Sequence, residues 1–183
     1  MRERKPPRNR PPLDAEALER LATHYVGRYA TTRARLVDYL RRKLRERGWE
    51  GQDTGKGMPD LPALAERFAQ AGWLDDRSWG EARSRGLVAR GYGPRRVGEA
   101  LGRAGVSGDD ADPGRDLAAA GAWDAALRLA ERRRIGPFGD AAPDPKERER
   151  WMGTLVRAGH DFRTARAIAW APPGQVPDDP ASD

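Results

Sequence analysis

The chain has no cysteine, two histidines, and only four lysines against 30 arginines in its 183 residues. Without cysteine, disulfides, thiol nucleophiles and cysteine-based zinc sites are excluded. His24 and His160 have no partner at ligand spacing, so no metal site is expected. The apolar runs fall far short of the ~20 residues needed to cross a bilayer. The basic start, Met1 to Pro12, has no apolar stretch behind it that would make a secretory signal. These gaps predict a cytoplasmic protein with no membrane partner. The glycines at 51, 55 and 57 do not build a phosphate loop, because the upstream spacing is wrong and no strand precedes them. Asp75 and Asp76 form an acidic pair on which nothing else converges, and a helix cap explains them better than acid–base or metal chemistry. With no nucleophile–base pairing, the expectation is a non-enzyme without cofactors.

What the chain does have is a pattern used three times. It reads Leu44-Arg-Glu-Arg-Gly48-Trp49, Leu101-Gly-Arg-Ala-Gly105-Val106 and Leu155-Val-Arg-Ala-Gly159-His160. Glycine just past a helix end is the usual left-handed cap, since it takes positive φ without a Cβ penalty. The pattern therefore predicts one helix-and-stop unit repeated along the chain. A weaker echo, Phe68-Ala-Gln-Ala-Gly72-Trp73, lies between the first two. Apolar residues are 38% and charged residues 34% of the chain, a balance that favours a thin helical body over a thick globule.

Composition and periodicity divide the chain. Residues 1–13 read as a disordered basic arm carrying Arg2, Arg4, Lys5, Arg8 and Arg10, and residues 171–183 as an acidic, proline-rich tail. Between them every segment reads as helix. The predicted fold is all-α, an elongated array of three tandem three-helix repeats over 14–73, 74–120 and 121–170. Asp14 is placed to cap the first helix, with Leu18, Leu21 and Tyr25 on its stripe. The second opens at Thr31 or Thr32 and puts Leu36, Leu40 and Leu44 inward. A helix from 60 to 71 completes the first repeat. The second repeat offers a helix carrying Trp79, Ala82, Leu87 and Val88, a short one opened by Pro94, and one near 109–119. The third offers helices over 122–134 and 146–158 and a last one opening at Asp161. The tryptophans are expected mainly in the core.

These residues, taken in order, resemble the RecX family of recombination regulators over roughly 14–170. The resemblance rests on the basic second helix Thr31-Thr32…Leu36…Leu40…Leu44…Gly48 and the joint Gly72-Trp73-Leu74-Asp75-Asp76. It continues through Gly91-Tyr92-Gly93-Pro94-Arg95-Arg96-Val97, then Leu101…Gly105-Val106 and Lys146…Leu155-Val-Arg157-Ala158-Gly159-His160. Two positions depart from the family pattern: Trp79-Gly80 stands where an aromatic followed by alanine is usual, and His160 replaces an aromatic. The second departure is expected to loosen packing of the last repeat. The resemblance implies a protein that binds the RecA recombinase filament on DNA, and a monomer is expected. There it would suppress ATP hydrolysis, strand exchange and coprotease stimulation.

The excess of arginine, with a formal net charge of +6, fits a polyanionic partner such as DNA and equally the codon bias of a GC-rich genome; the resemblance implies DNA binding without sequence preference. On the second helix Arg35, Arg41, Arg42 and Arg45 gather opposite the leucines, where guanidinium forks would meet acidic patches or phosphates. The same face would serve equally as a solvated exterior; the resemblance favours contact. Arg95, Arg96 and Arg103 repeat the arrangement on a smaller scale, as do Arg157, Arg163 and Arg166. The competing reading from another class is a helix-turn-helix DNA-binding protein, with the Pro94–Ala104 segment as half of the motif.

Overall fold

Leucines at helical spacing and side-chain caps set the first helices. In the computed structural model, which describes residues 11–52, 57–141 and 143–180, α1 spans Ala15–Arg28 and α2 spans Arg33–Arg47. The carboxylate of Asp14 accepts the Ala17 N–H at 2.6 Å, and the Thr32 hydroxyl accepts the Arg35 N–H at 3.3 Å. Each such cap contributes about 1 kcal/mol. α3 (Leu61–Gln70) opens on Asp60 in the same way, with a 2.9 Å bond from Ala63 N–H. Leu18, Leu36, Leu40, Leu44, Leu64 and Phe68 from these helices share one buried cluster. Each buried leucine contributes roughly 1.5–3 kcal/mol of transfer free energy.

The remaining described helices are α4 (Asp76–Ala89), α5 (Pro94–Gly102), α6 (Asp112–Ala120), α7 (Ala122–Arg133), α8 (Pro145–Arg157) and α9 (Phe162–Trp170). Among the described residues there is no strand, so the fold class is all-α. The chain separates into two compact units, one ending at Asp75 and the other starting at Asp76. The second unit holds two hydrophobic clusters, one around Val97, Leu101 and Val106 and one around Leu129, Ile135, Leu155 and Ile168; Tyr92 packs on both.

The repeated glycine pattern has a definite meaning in hydrogen bonds. Val106 N–H donates to Leu101 O at 3.1 Å and His160 N–H to Leu155 O at 3.2 Å, across glycines with φ of 72° and 100°. This is the stop in which the residue after the left-handed position reaches back five residues. It also closes α3, with Trp73 to Phe68 at 2.9 Å. Two further copies escaped the sequence pattern. Tyr92 bonds to Leu87 at 3.1 Å across Gly91, and Ile135 to Ala130 at 2.9 Å across Arg134, a non-glycine residue with φ 52°. The first copy ends differently. Gly48 has φ 81° but ψ 171°, and its carbonyl accepts the Leu13 N–H at 3.0 Å while Leu13 O accepts Glu50 N–H. Gly48 N–H still donates to Leu44 O at 2.8 Å, but an incoming extended residue takes the place of the five-residue backward bond.

Several inward faces differ from expectation. α4 buries Asp76, Gly80, Ser84, Leu87 and Val88, while Ala82 is exposed. The small residues allow α6 to lie close: a Cβ on Gly114 would stand 2.5 Å from Ser84 Oγ. None of the tryptophans is fully buried; Trp49, Trp79, Trp123 and Trp151 are half-buried, and Trp73 and Trp170 are exposed. Their size leaves an edge in water even where one face packs.

His160 corrects the expectation of a loosened last repeat, for it is 3% exposed. Its Nε2 lies 3.0 Å from Gly91 O. A carbonyl only accepts, so this nitrogen carries the proton. Beside it, Gly93 N–H donates to Ala158 O at 3.0 Å and Arg95 N–H to Gly159 O at 3.2 Å. The Arg95 guanidinium adds a 2.7 Å bond to Val156 O. Backbone meets backbone here: a Cβ on Gly93 would lie 2.5 Å from Gly159 C, and one on Gly159 2.5 Å from Arg96 N. The α4–α5 turn and the α8–α9 turn are thus one welded joint.

Two outcomes follow for stability. Gly159→Ala combines a φ of +100° with backbone collision, whereas Gly72→Ala has a φ of +78° and open space. The first should cost about 3 kcal/mol or more and the second about 1–2 kcal/mol, measured by urea denaturation. Burial pushes the His160 pKa below its ordinary 6.5, against partial opposition from the Gly91 carbonyl and the Asp161 charge. The folded state then refuses a proton that the unfolded chain accepts. Stability is full above 6.5 and falls as pH drops from there toward the lowered folded value. The fall in urea midpoint between about pH 7.5 and about pH 5.5 should be smaller in His160→Phe than in the native chain.

Candidate partner and nucleic-acid interface

α2 carries seven basic side chains against two acidic ones, Asp38 and Glu46. Its leucine stripe is buried, while Arg41, Arg42 and Arg45 are exposed and Arg35 is half-buried. The four candidate arginines fall into two pairs on the side away from the leucines. Steps of seven and four residues keep Arg35 with Arg42 and Arg41 with Arg45, and the two pairs lie roughly 90° apart around the axis. Arg35 and Arg42 line a groove of about 520 Å³ with Tyr25, Tyr29 and Tyr39. Arg41 and Arg45 border a separate hollow of about 350 Å³ beside Trp49, Met58 and Pro59. The leucine stripe is flanked on both sides by cations.

Acidic neighbours hold part of this charge. Arg41 pairs with Asp38 at 2.6 Å, Lys43 with Glu46 at 2.6 Å, and Arg42 with Glu46 at 3.8 Å. Exposed pairs of this kind contribute ~0–1 kcal/mol, so a partner's oxyanion exchanges for them at little cost. Arg45 has no ion pair among the described residues.

The smaller clusters differ in kind. Arg95, Arg96 and Arg103 converge on Glu99 at 3.4, 3.2 and 3.2 Å. Arg95 is also committed to Val156 O, so this cluster is largely structural. Arg157 donates to the Thr154 hydroxyl at 3.3 Å. Arg163 and Arg166, exposed on α9, have no ion pair among the described residues. The arm arginines and Lys5 lie outside the described residues.

Other polar groups are accounted for by the fold. α4 begins at Asp76, which is buried, with Asp75 immediately before it. Asp161 caps α9: burial raises its pKa, but the Thr164 N–H and hydroxyl, each at 2.8 Å, outweigh this and hold it below its ordinary value. Among the described residues no three His, Asp or Glu side chains gather as metal ligands. No helix among them is long and apolar enough to cross a membrane. Tyr25, which sequence reasoning placed on the stripe of the first helix, and Tyr29 and Tyr39 are the site residues it overlooked. Their signal was the proximity of Tyr25, Tyr29 and Tyr39 to a dense run of arginine.

Comparison with known proteins fits this architecture. No family model matches the chain. The regulatory protein RecX of Myxococcus xanthus (strain DK1622) is 30% identical over 159 residues, covering 82% of this chain and 83% of that protein. The regulatory protein RecX of Halorhodospira halophila (strain DSM 244 / SL1) is 33% identical over 158 residues, covering 86% of this chain and 89% of its own. The crystal structure of RecX from Lactobacillus salivarius superposes with a TM-score of 0.63 over 84% of this chain and 92% of that one, at 14% identity, a likeness of fold alone. Kinship in sequence across four-fifths of the chain, with the same helical fold beneath it, shows that this protein belongs to the RecX family of regulatory proteins.

Proposed function

We propose that this chain binds the RecA recombinase filament on DNA and modulates it, mainly by inhibiting ATP hydrolysis, strand exchange and coprotease stimulation. The observation that carries the reading is its kinship with two regulatory proteins over most of its length. The cationic flanks of α2 supply a chemistry suited to acidic surfaces and phosphate. We read the chain as three tandem repeats, 14–73, 74–120 and 121–170, which together lie along the filament and bridge successive protomers. A modulator that binds one filament state better than another shifts the population by its differential affinity and no more. DNA contact would be sequence-independent and salt-sensitive. The chain would act without catalysis of its own, in the cytoplasm, as a monomer. The helix-turn-helix reading loses ground, because the Arg95 guanidinium is committed to Val156 O.

DNA-dependent ATP hydrolysis by the cognate recombinase, titrated with this protein, tests the proposal. Inhibition is expected at protein well below the recombinase concentration. Replacing Arg35, Arg41, Arg42 and Arg45 together by glutamine should weaken inhibition by at least tenfold, with helical circular dichroism retained, on the order of 0.5 kcal/mol or more per charge. Inhibition undiminished in the folded variant would mean that the arginines of α2 are a solvated exterior.

A further inference from the structure

The groove beside α2 is built differently from an ordinary charged surface. Tyr25 and Tyr39 stack with ring centroids 4.1 Å apart and planes 8° from parallel, and both pack on the core of the first unit. Tyr29 leans on Tyr25 at 5.3 Å and 49°, and is itself 52% exposed. Arg42 and Lys43 lie over the Tyr39 ring at 5.6 and 5.8 Å, and Arg28 over Tyr29 at 5.9 Å. None of the residues lining the groove is acidic, while His24, Arg35, Arg42 and Lys43 all line it. Its volume of about 520 Å³ falls in the ~300–1,000 Å³ range of ligand clefts.

Thr31 is the second, independent sign of a ligand. It lines the same groove and is 6% exposed, yet its buried Oγ1 has no hydrogen-bond partner among the described residues. Most buried hydroxyls find a partner, and one without costs about 1–3 kcal/mol. A phosphate oxygen that reached this hydroxyl on a small shift of the lining would supply the missing acceptor.

We infer that this groove binds one nucleotide unit, its base against the ring of Tyr29 and its phosphate among Arg35, Lys43 and the Thr31 hydroxyl. An acidic peptide would use the cations but leave the exposed tyrosine idle; a nucleotide uses both. Aromatic platforms beside cations accept any base, because every base has a π-face. The unit is either a free nucleotide or one residue of a single strand, and both present the same chemistry to the groove.

The test uses the full chain without recombinase, so it stands apart from the filament reading. Binding of a fluorescein-labelled oligothymidylate and of a fluorescent ATP analogue is followed at fixed low salt. Tight binding of the strand alone identifies the source as single-stranded nucleic acid; tight binding of the analogue identifies a free nucleotide. For whichever probe binds, Tyr29→Ala should weaken affinity roughly 5- to 100-fold, the range for loss of one base stack, and Tyr29→Trp should retain it. Thr31→Val should match or exceed the native melting temperature, having broken no bond and removed an unpaired buried hydroxyl, yet lose about 3- to 10-fold in affinity. An abasic strand should bind the native chain and Tyr29→Ala alike. Failure of the native chain to bind either probe, or native affinity in Tyr29→Ala, overturns the stacking site; native affinity in Thr31→Val overturns the phosphate seat. Recombinase inhibition that persists after either failure leaves the filament reading intact, and its absence alongside normal nucleotide binding refutes that reading alone.

Discussion

The backward-reaching helix stop is the constraint on which the rest of this structure depends. Each helix leaves four N–H groups unpaired at its start and four carbonyls at its end, and a small all-α chain has many ends for its core. A left-handed residue followed by a five-residue backward bond satisfies those carbonyls and turns the chain sharply. It recurs at Gly72, Gly91, Gly105, Arg134 and Gly159. Because the turns are this tight, two of them meet backbone to backbone at Gly93 and Gly159. The histidine that follows Gly159 is carried into that joint, where it bonds the carbonyl of another left-handed glycine, Gly91. One local rule therefore fixes both the helix ends and a contact distant in sequence.

Charge is arranged on this frame so that it remains available. Arg41 and Arg42 of α2 are held by nearby acids on the same helix or by an aromatic face, not by deep ion pairs. Such contacts order the side chains without sequestering them, since exposed pairs contribute little and yield to a better anion. Around Glu99 the opposite holds: three arginines share one carboxylate, and Arg95 also ties the welded joint through Val156 O. Clusters of the same composition thus serve different ends, according to whether a guanidinium also reaches backbone.

Much of the fold was legible because leucine periodicity and capping side chains are local signals. Leu36, Leu40 and Leu44, and the caps Asp14, Thr32, Asp60 and Asp161, needed no tertiary information. The α4–α6 contact was not legible, since Gly80, Ser84 and Gly114 carry no hydrophobic period and become interior only when the opposite helix is present. Gly48 was read as another left-handed stop, but its carbonyl is claimed by Leu13, a partner set by tertiary packing. His160 looked like a weak substitute for an aromatic because its acceptor, Gly91 O, is 69 residues away. The candidate site was legible in composition and not in grouping. Helical angles place Arg35 with Arg42 and Arg41 with Arg45, yet what separates them is the tyrosine cluster on one side and Trp49 on the other.

The central functional claim is that the target is the filament, with DNA affinity subordinate to it. Its most direct measurement is equilibrium binding of the labelled chain to preformed RecA filaments on single-stranded DNA, against the same strand bare, at one physiological salt concentration. The account predicts clearly tighter binding to the filament, with the difference persisting as salt rises. Equal or tighter binding to the bare strand would contradict it and make this chain a nucleic-acid-binding protein first.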